Sequence, residues 1–291
     1  MCFYLNQVYG MEIFFAVLFF GSFLAGLLGS LTGLGGGVII VPLLTIGMGV
    51  DIKYAIGTSL VAVIATSSGA AAAYVKEGIT NIRIGMFLEI ATTFGAIGGA
   101  ALAVIAPTHV IAVLFGAVLL YSGLSSFKHR KEEFIQPGNS VRKRSRLAGL
   151  LNLAGNYPTP EGQVFYKVYN LGGGFAMMIV AGLLSGLLGI GSGAFKVIAM
   201  DSIMKLPFKV SSTTSNFMIG VTAAASAGIY LTRGYIDPVL SMCVVPGVLI
   251  GSFIGARKLM KSKTKLLRII FAVVITLLAF EMIYNGITKA V

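Results

Sequence analysis

The chain has 291 residues, of which 56% are hydrophobic and only 11% are charged, against about 25% charged in a soluble domain. That deficit excludes a water-soluble globule and a disordered chain, and the long unbroken apolar runs exclude an outer-membrane barrel, whose strands alternate. The net charge of +12 collects in loops beside those runs, where positive-inside bias accounts for it without nucleic acid.

The first 52 residues contain no Lys or Arg, so the apolar run from about Ile13 lacks the basic leader of a cleaved signal peptide. At about 20 residues per crossing, the pattern predicts a helix over 12–31, a break at Gly33-Leu34-Gly35-Gly36-Gly37, and a short helix over 38–48. Spans over 54–75, 83–105 and 108–127 follow. Residues 128–170 are the one long polar stretch. A span over 172–189 leads to a second break, Gly189-Ile190-Gly191-Ser192-Gly193, and a short helix over 194–205. Spans over 209–232, 237–256 and 266–286 end the chain. The organisation expected is a first transmembrane repeat over 11–127, a basic cytoplasmic linker over 128–170, and a second repeat over 171–287.

The repeat is visible in the letters. A shift of 156 lays 25–100 on 181–256 without a gap, with 21 identities over 76 positions. Ala25-Gly26-Leu27-Leu28 falls on Ala181-Gly182-Leu183-Leu184, and Gly33, Gly35 and Gly37 fall on Gly189, Gly191 and Gly193. Lys53, Thr58, Ser59, Tyr74 and Gly78 also find their like. Apolar composition alone does not produce such matches. The stretch 128–167 carries eight Lys/Arg, and 257–268 carries six with no acid, which places both in the cytoplasm. The first-half counterpart of the latter, about 101–109, has neither Lys nor Arg and belongs outside. One loop on opposite sides in the two halves makes the repeats antiparallel, as in many secondary transporters. The fold class expected is an all-α polytopic membrane protein of two inverted-topology repeats. Each has about five membrane segments and one glycine-broken helix, and both termini lie outside a cell membrane.

Neither glycine run ends in Gly-Lys-Ser/Thr, so neither is a phosphate loop. Three or four glycines in five residues cost a continuous helix about 1 kcal/mol each, so a break is expected. Freed N–H groups in lipid must face protein, water or a ligand, and the start of each short helix favours an anion. The predicted anion site comprises Gly33, Gly35, Gly36 and Gly37, then Thr58 and Ser59, then Gly191, Ser192 and Gly193, then Lys196, Thr214, Ser215 and Asn216. Its hydroxyls and amide donate to oxyanions without fixed charge. Lys196, opposite apolar Ile40, either faces the anion or snorkels to the interface, with Asp201 as a candidate resting partner. Glu89, opposite Val245 and deep in an apolar span, is a candidate for proton coupling. Gly95/Gly99 and Gly251/Gly255 read as helix-packing pairs. Cys2, Cys243, His109 and His129 have no metal-ligand spacing, so neither metal nor cofactor is expected, and no nucleophile–base set suggests an enzyme.

At these residues the chain resembles the TauE/SafE family of sulfite-exporter-like membrane proteins. The first-half resemblance rests on Gly33–Gly37 followed by Val41-Pro42-Leu43, with Ala55-Ile56-Gly57-Thr58-Ser59-Leu60. The second half resembles its counterpart through Ser185–Gly193 and Thr213-Thr214-Ser215-Asn216. It departs at Ser192, at Lys196 and in lacking a match to Pro42. The resemblance implies alternating-access export of small sulfur-containing anions such as sulfite, sulfoacetate or other organosulfonates. A passive anion channel is the alternative. The partners implied are the anion and the lipid bilayer.

Overall fold

The computed structural model describes residues 11–32, 35–76, 78–127, 151, 153–159, 162–259 and 265–288. Apolar runs become helices because a helix satisfies its own backbone, which lipid cannot do. The first half holds α1 (Met11–Thr32), α2 (Gly37–Pro42) running into a π-helical turn (Leu43–Gly47), α3 (Ile52–Lys76), α4 (Ile82–Ile105) and α5 (Thr108–Phe127). The second half holds α6 (Leu171–Leu188), α7 (Gly193–Ile198) with its own π turn (Ala199–Ile203), α8 (Phe208–Thr232), α9 (Pro238–Leu259) and α10 (Lys265–Thr288). The short helices, their π turns and the long helices after them have bounds offset by the same 156 residues. Pro42 cannot be the common cause of the π turns, because Ile198 occupies the matching place. Single-turn π segments are rare and concentrate at functional sites.

Helices of one half pack on helices of the other. α1 lies along α9, α4 along α6, α5 along α10, and α3 along α8. Glycines allow the closest of these approaches. A Cβ at Gly95 or Gly99 would run into the carbonyls of Ile179 and Leu183, and one at Gly182 or Gly186 into those of Thr92 and Ala96. Gly251 and Gly255 sit in the same way against Phe23 and Leu27 of α1. The packing expected of these glycine pairs is therefore what they do. Large apolar side chains such as Phe94, Met242, Leu277 and Phe280 face outward, which suits a hydrocarbon solvent.

Among the described residues, four helical stretches are long and apolar enough to cross a membrane: Ile52–Ala72, Ile82–Ile105, Leu171–Leu188 and Pro238–Arg257. Shorter apolar stretches are Phe14–Ser30, Gly37–Gly47, Thr108–Leu124 and Ala272–Thr288. α8 is long but begins with a Ser/Thr/Asn run, Ser211-Ser212-Thr213-Thr214-Ser215-Asn216, all buried. Polarity directed inward lowers its average hydropathy without exposing it to lipid.

The all-α expectation requires one amendment. Within the predicted linker, β1 (Gly155–Thr159) and β2 (Gly162–Tyr166) form an antiparallel hairpin, with Gly155 opposite Tyr166 and Thr159 opposite Gly162. Ten residues interrupted by Pro158 carry little strand signal. Docking stabilises the hairpin: Leu153, Tyr166 and Val168 join a buried cluster with Ile84 and Leu88 of α4, Met200 of the second π turn, Met204 just after it, and Met218 of α8. Asn81 ties the cluster together, donating from Nδ2 to the Tyr166 hydroxyl at 2.7 Å and to the Leu153 carbonyl at 3.1 Å. Its Oδ1 caps α4 by accepting from the Ile84 N–H.

Candidate functional site

Both glycine runs break their helices, by backbone angles that side chains resist. Gly35 has φ +82°, Gly189 +68° and Gly191 +70°, and Ser192 follows at +47°. A serine in the left-handed region is uncommon and costs roughly 1–2 kcal/mol, so the second break holds a strained residue where the first has Gly36 at φ −69°. Gly33 and Leu34 lie outside the described residues.

The two breaks meet. A Cβ on Gly37 would lie 2.6 Å from the carbonyl oxygen of Gly189, 2.6 Å from Ser59 Oγ and 2.8 Å from Val63 Cγ2. Only glycine permits this approach. Ser59 donates to the Gly189 carbonyl at 2.9 Å, a bond from α3 of one half to the break of the other. Ile219 of α8 packs against both Gly35 and Gly191. α3 presents Ile56, Ser59, Val63 and Thr66 to this junction, a spacing that stays on one helix face. α8 turns Ser215, Ile219 and Thr222 the same way, and these are the positions on which Ser59, Val63 and Thr66 fall in the 156-residue shift. Ser215 donates to the Gly193 carbonyl at 3.2 Å.

The structure therefore brings together Gly35, Gly36, Gly37, Ser59, Gly191, Gly193 and Ser215. Thr214 is used elsewhere, its Oγ1 accepting from the Asn81 N–H at 3.1 Å. Other predicted donors are buried with nothing to bond. Among the described residues, the buried polar atoms without a hydrogen-bond partner include Thr58 Oγ1, Ser192 Oγ, Asn216 Nδ2 and Glu89 Oε2. Such atoms cost about 1–3 kcal/mol each, and native proteins keep few of them. Three of these belong to donor groups of the predicted anion site, and the fourth, Glu89 Oε2, is a carboxyl oxygen.

Lys196 does not snorkel. Its side chain is 0% exposed, and Nζ donates to Thr222 Oγ1 at 2.5 Å. Thr222 in turn donates to Glu89 Oε1 at 2.6 Å. The expected resting partner Asp201 is replaced in that role by Thr222, with Glu89 beyond it. Five residues along a helix put Asp201 on a different face, whereas α4 and α8 bring Glu89 and Thr222 in from the side. Thr92 lies 3.5 Å from the Thr222 hydroxyl and is itself buried. Sequence reasoning missed Thr222. The usable signal was the repeat itself, in which Thr66 falls on Thr222 in an otherwise apolar stretch.

The family model described as Sulfite exporter TauE/SafE matches residues 18–282. The chain is similar to the probable membrane transporter protein YunE of Bacillus subtilis, 30% identical over 94% of this chain and 98% of that protein. It is also similar to the probable membrane transporter protein YdhB of the same organism, 28% identical over 81% of this chain and 86% of the other. A probable membrane transporter protein of Methanocaldococcus jannaschii is 23% identical over 90% and 92% of the two chains. No solved structure matches.

Proposed function

The chain belongs to the TauE/SafE sulfite exporter family and is a multi-pass membrane transporter of that type, and from this premise we propose that it exports small sulfur-containing anions, sulfite or organosulfonates, by alternating access. The observation that carries the reading is the junction of the two helix breaks, together with buried donors on Thr58, Ser192 and Asn216, next in sequence to residues of that junction, that have no partner among the described residues. Hydroxyls and an amide suit an oxyanion because they can turn their hydrogens toward it. The shared 156-residue offset of the short helices, and the cross-pairing of α1 with α9 and α6 with α4, support two inverted-topology repeats. The Lys/Arg loops support a cytoplasmic linker with both termini outside.

A carrier also fits the closure of the junction. Gly37 against Gly189 is backbone on backbone, so cargo passes only if the halves shift. The test is flux of radiolabelled sulfite and methanesulfonate in proteoliposomes of purified protein. Saturation and counterflow support the carrier. Unsaturable flux without counterflow would indicate a passive anion channel, and no flux of any sulfur anion would overturn the substrate class.

A further inference from the structure

The Glu89–Thr222–Lys196 chain is the most unusual arrangement in the molecule. All three side chains are buried, two are charged, and they come from α4, α8 and α7. Thr222 has one hydroxyl hydrogen, and it sits between an ammonium that can only donate and a carboxylate that can only accept. The hydroxyl accepts from Lys196 and donates to Glu89, with the Met218 carbonyl at 3.0 Å as a second acceptor within its reach, so the two charges are joined through a group that can turn away. Bonding is incomplete at both ends. Among the described residues, the Lys196 ammonium, with three N–H donors, makes one hydrogen bond, and Glu89 Oε2 has no partner.

Stability does not require this arrangement. A buried charge pair is often no better than apolar residues of similar size, and the protein contains that alternative. In the repeat register Lys196, Thr222 and Glu89 fall on Ile40, Thr66 and Val245. Each half supplies one charge to this site, and the symmetry-related site of Ile40, Thr66 and Val245 has neither. A lone buried charge is far more costly than a pair, which is why they occur as a unit.

We infer that the pair is an exchange site in which a substrate anion and the Glu89 carboxylate compete for Lys196, so that each monovalent anion is carried with one proton. This deepens the transport reading above and rests on it. When an anion oxygen takes the free N–H donors of Lys196, Glu89 loses its counter-charge in a site without water-like screening. A proton from the open aqueous side then forms an O–H bond at Oε2, and the carboxylate becomes a neutral acid that no longer holds Thr222 and Lys196. Release reverses both events. Anion and proton load together and leave together, and transport of a monovalent anion moves no net charge.

Among the described residues, Lys196 is the cation that the hydrogen-bond chain joins to Glu89, and the other titratable groups on the surrounding elements are placed as follows. α6 carries no ionisable residue. On α8, Lys209 is exposed about 20 Å along the helix from Thr222, and Tyr230 lies about 12 Å the other way, its hydroxyl bonded to the Gly186 carbonyl. On α4, Arg83 is about 9 Å along the helix from Glu89. α3 carries Lys53, Tyr54 and Lys76 at its two ends, and Lys53 is bonded to the Val104 carbonyl. Tyr121 of α5 stacks on Phe195, and Asp201 sits in the turn after α7.

Two measurements on the full-length protein test this. The first needs no substrate: infrared difference spectra in lipid at neutral pH. Lys196→Met should show a protonated-carboxyl stretch that Lys196→Met/Glu89→Gln lacks, and wild type and Lys196→Arg should not show it. A carboxylate that stays ionised in Lys196→Met would overturn the exchange. The second is titration calorimetry with methanesulfonate, which remains a monoanion near neutral pH, in buffers of different ionisation enthalpy. Wild type should take up about one proton per anion bound, and Glu89→Gln should take up none while binding more tightly, because the competing carboxylate is gone. Equal proton counts in the two would overturn the inference even if Lys196→Met did not fold. If methanesulfonate, sulfite and sulfate all fail to bind wild type, the substrate reading falls, and the infrared result still decides whether Glu89 depends on Lys196.

Discussion

Thr58 and Ser59 are neighbours on α3, both 0% exposed, and substitutions at them should act on stability with opposite signs. Thr58 Oγ1 is buried without a partner, a state that costs about 1–3 kcal/mol. Valine replaces the hydroxyl with a methyl of nearly the same shape, so Thr58→Val removes that cost and should stabilise the ligand-free protein by about 1 kcal/mol or more. Ser59→Ala does the reverse. It deletes the bond to the Gly189 carbonyl at 2.9 Å and strands that buried carbonyl beside Gly37, a loss of about 1–2 kcal/mol. The assay is thermal unfolding in one detergent, followed by circular dichroism, with methanesulfonate flux measured on the same preparations. Thr58→Val should melt higher than wild type and transport less, and Ser59→Ala should melt lower. If Thr58→Val melts as low as Ser59→Ala, its hydroxyl already has a structural partner, and its assignment to the anion is wrong.

Gly37→Ala should disrupt the junction, because its Cβ meets Gly189 O, Ser59 Oγ and Val63 Cγ2 at 2.6–2.8 Å. A cost of about 1–3 kcal/mol and a loss of flux are expected, whereas Gly98→Ala on α4 has nothing within 4 Å and should melt no lower than wild type. Thr222→Val should cost about 1.5–3 kcal/mol, the range for hydrogen bonds to charged groups. Thr66→Val loses only its bond to the Ala62 carbonyl and should cost less than half as much, a difference visible in the same melts. For topology, single cysteines at positions 107 and 262, in a chain with Cys2 and Cys243 replaced, should label from outside and from inside intact cells respectively. Labelling of both from the same side would sink the inverted repeat.

The sequence by itself determined the helices, the two breaks and the class of protein. Hydrophobic runs of span length leave the backbone no alternative to helix in lipid, and clustered glycines mark where it stops. Recurrence of Gly, Lys, Thr, Ser and Tyr at one offset ties the halves together, and the residues so matched include Ser59 and Ser215, which do meet the breaks. The hairpin was not legible, because a few alternating residues around Pro158 become a strand pair only against Ile84, Met200 and Met204. The partner of Lys196 was not legible either. Local spacing pointed along its own helix to Asp201, whereas the hydrogen bond is made across helices, to a threonine 26 residues on and through it to a glutamate in the other half. Periodicity reports which face of an element is turned inward. Which inward-facing groups touch is set by the crossing of α4, α7 and α8, and only the tertiary structure decides that.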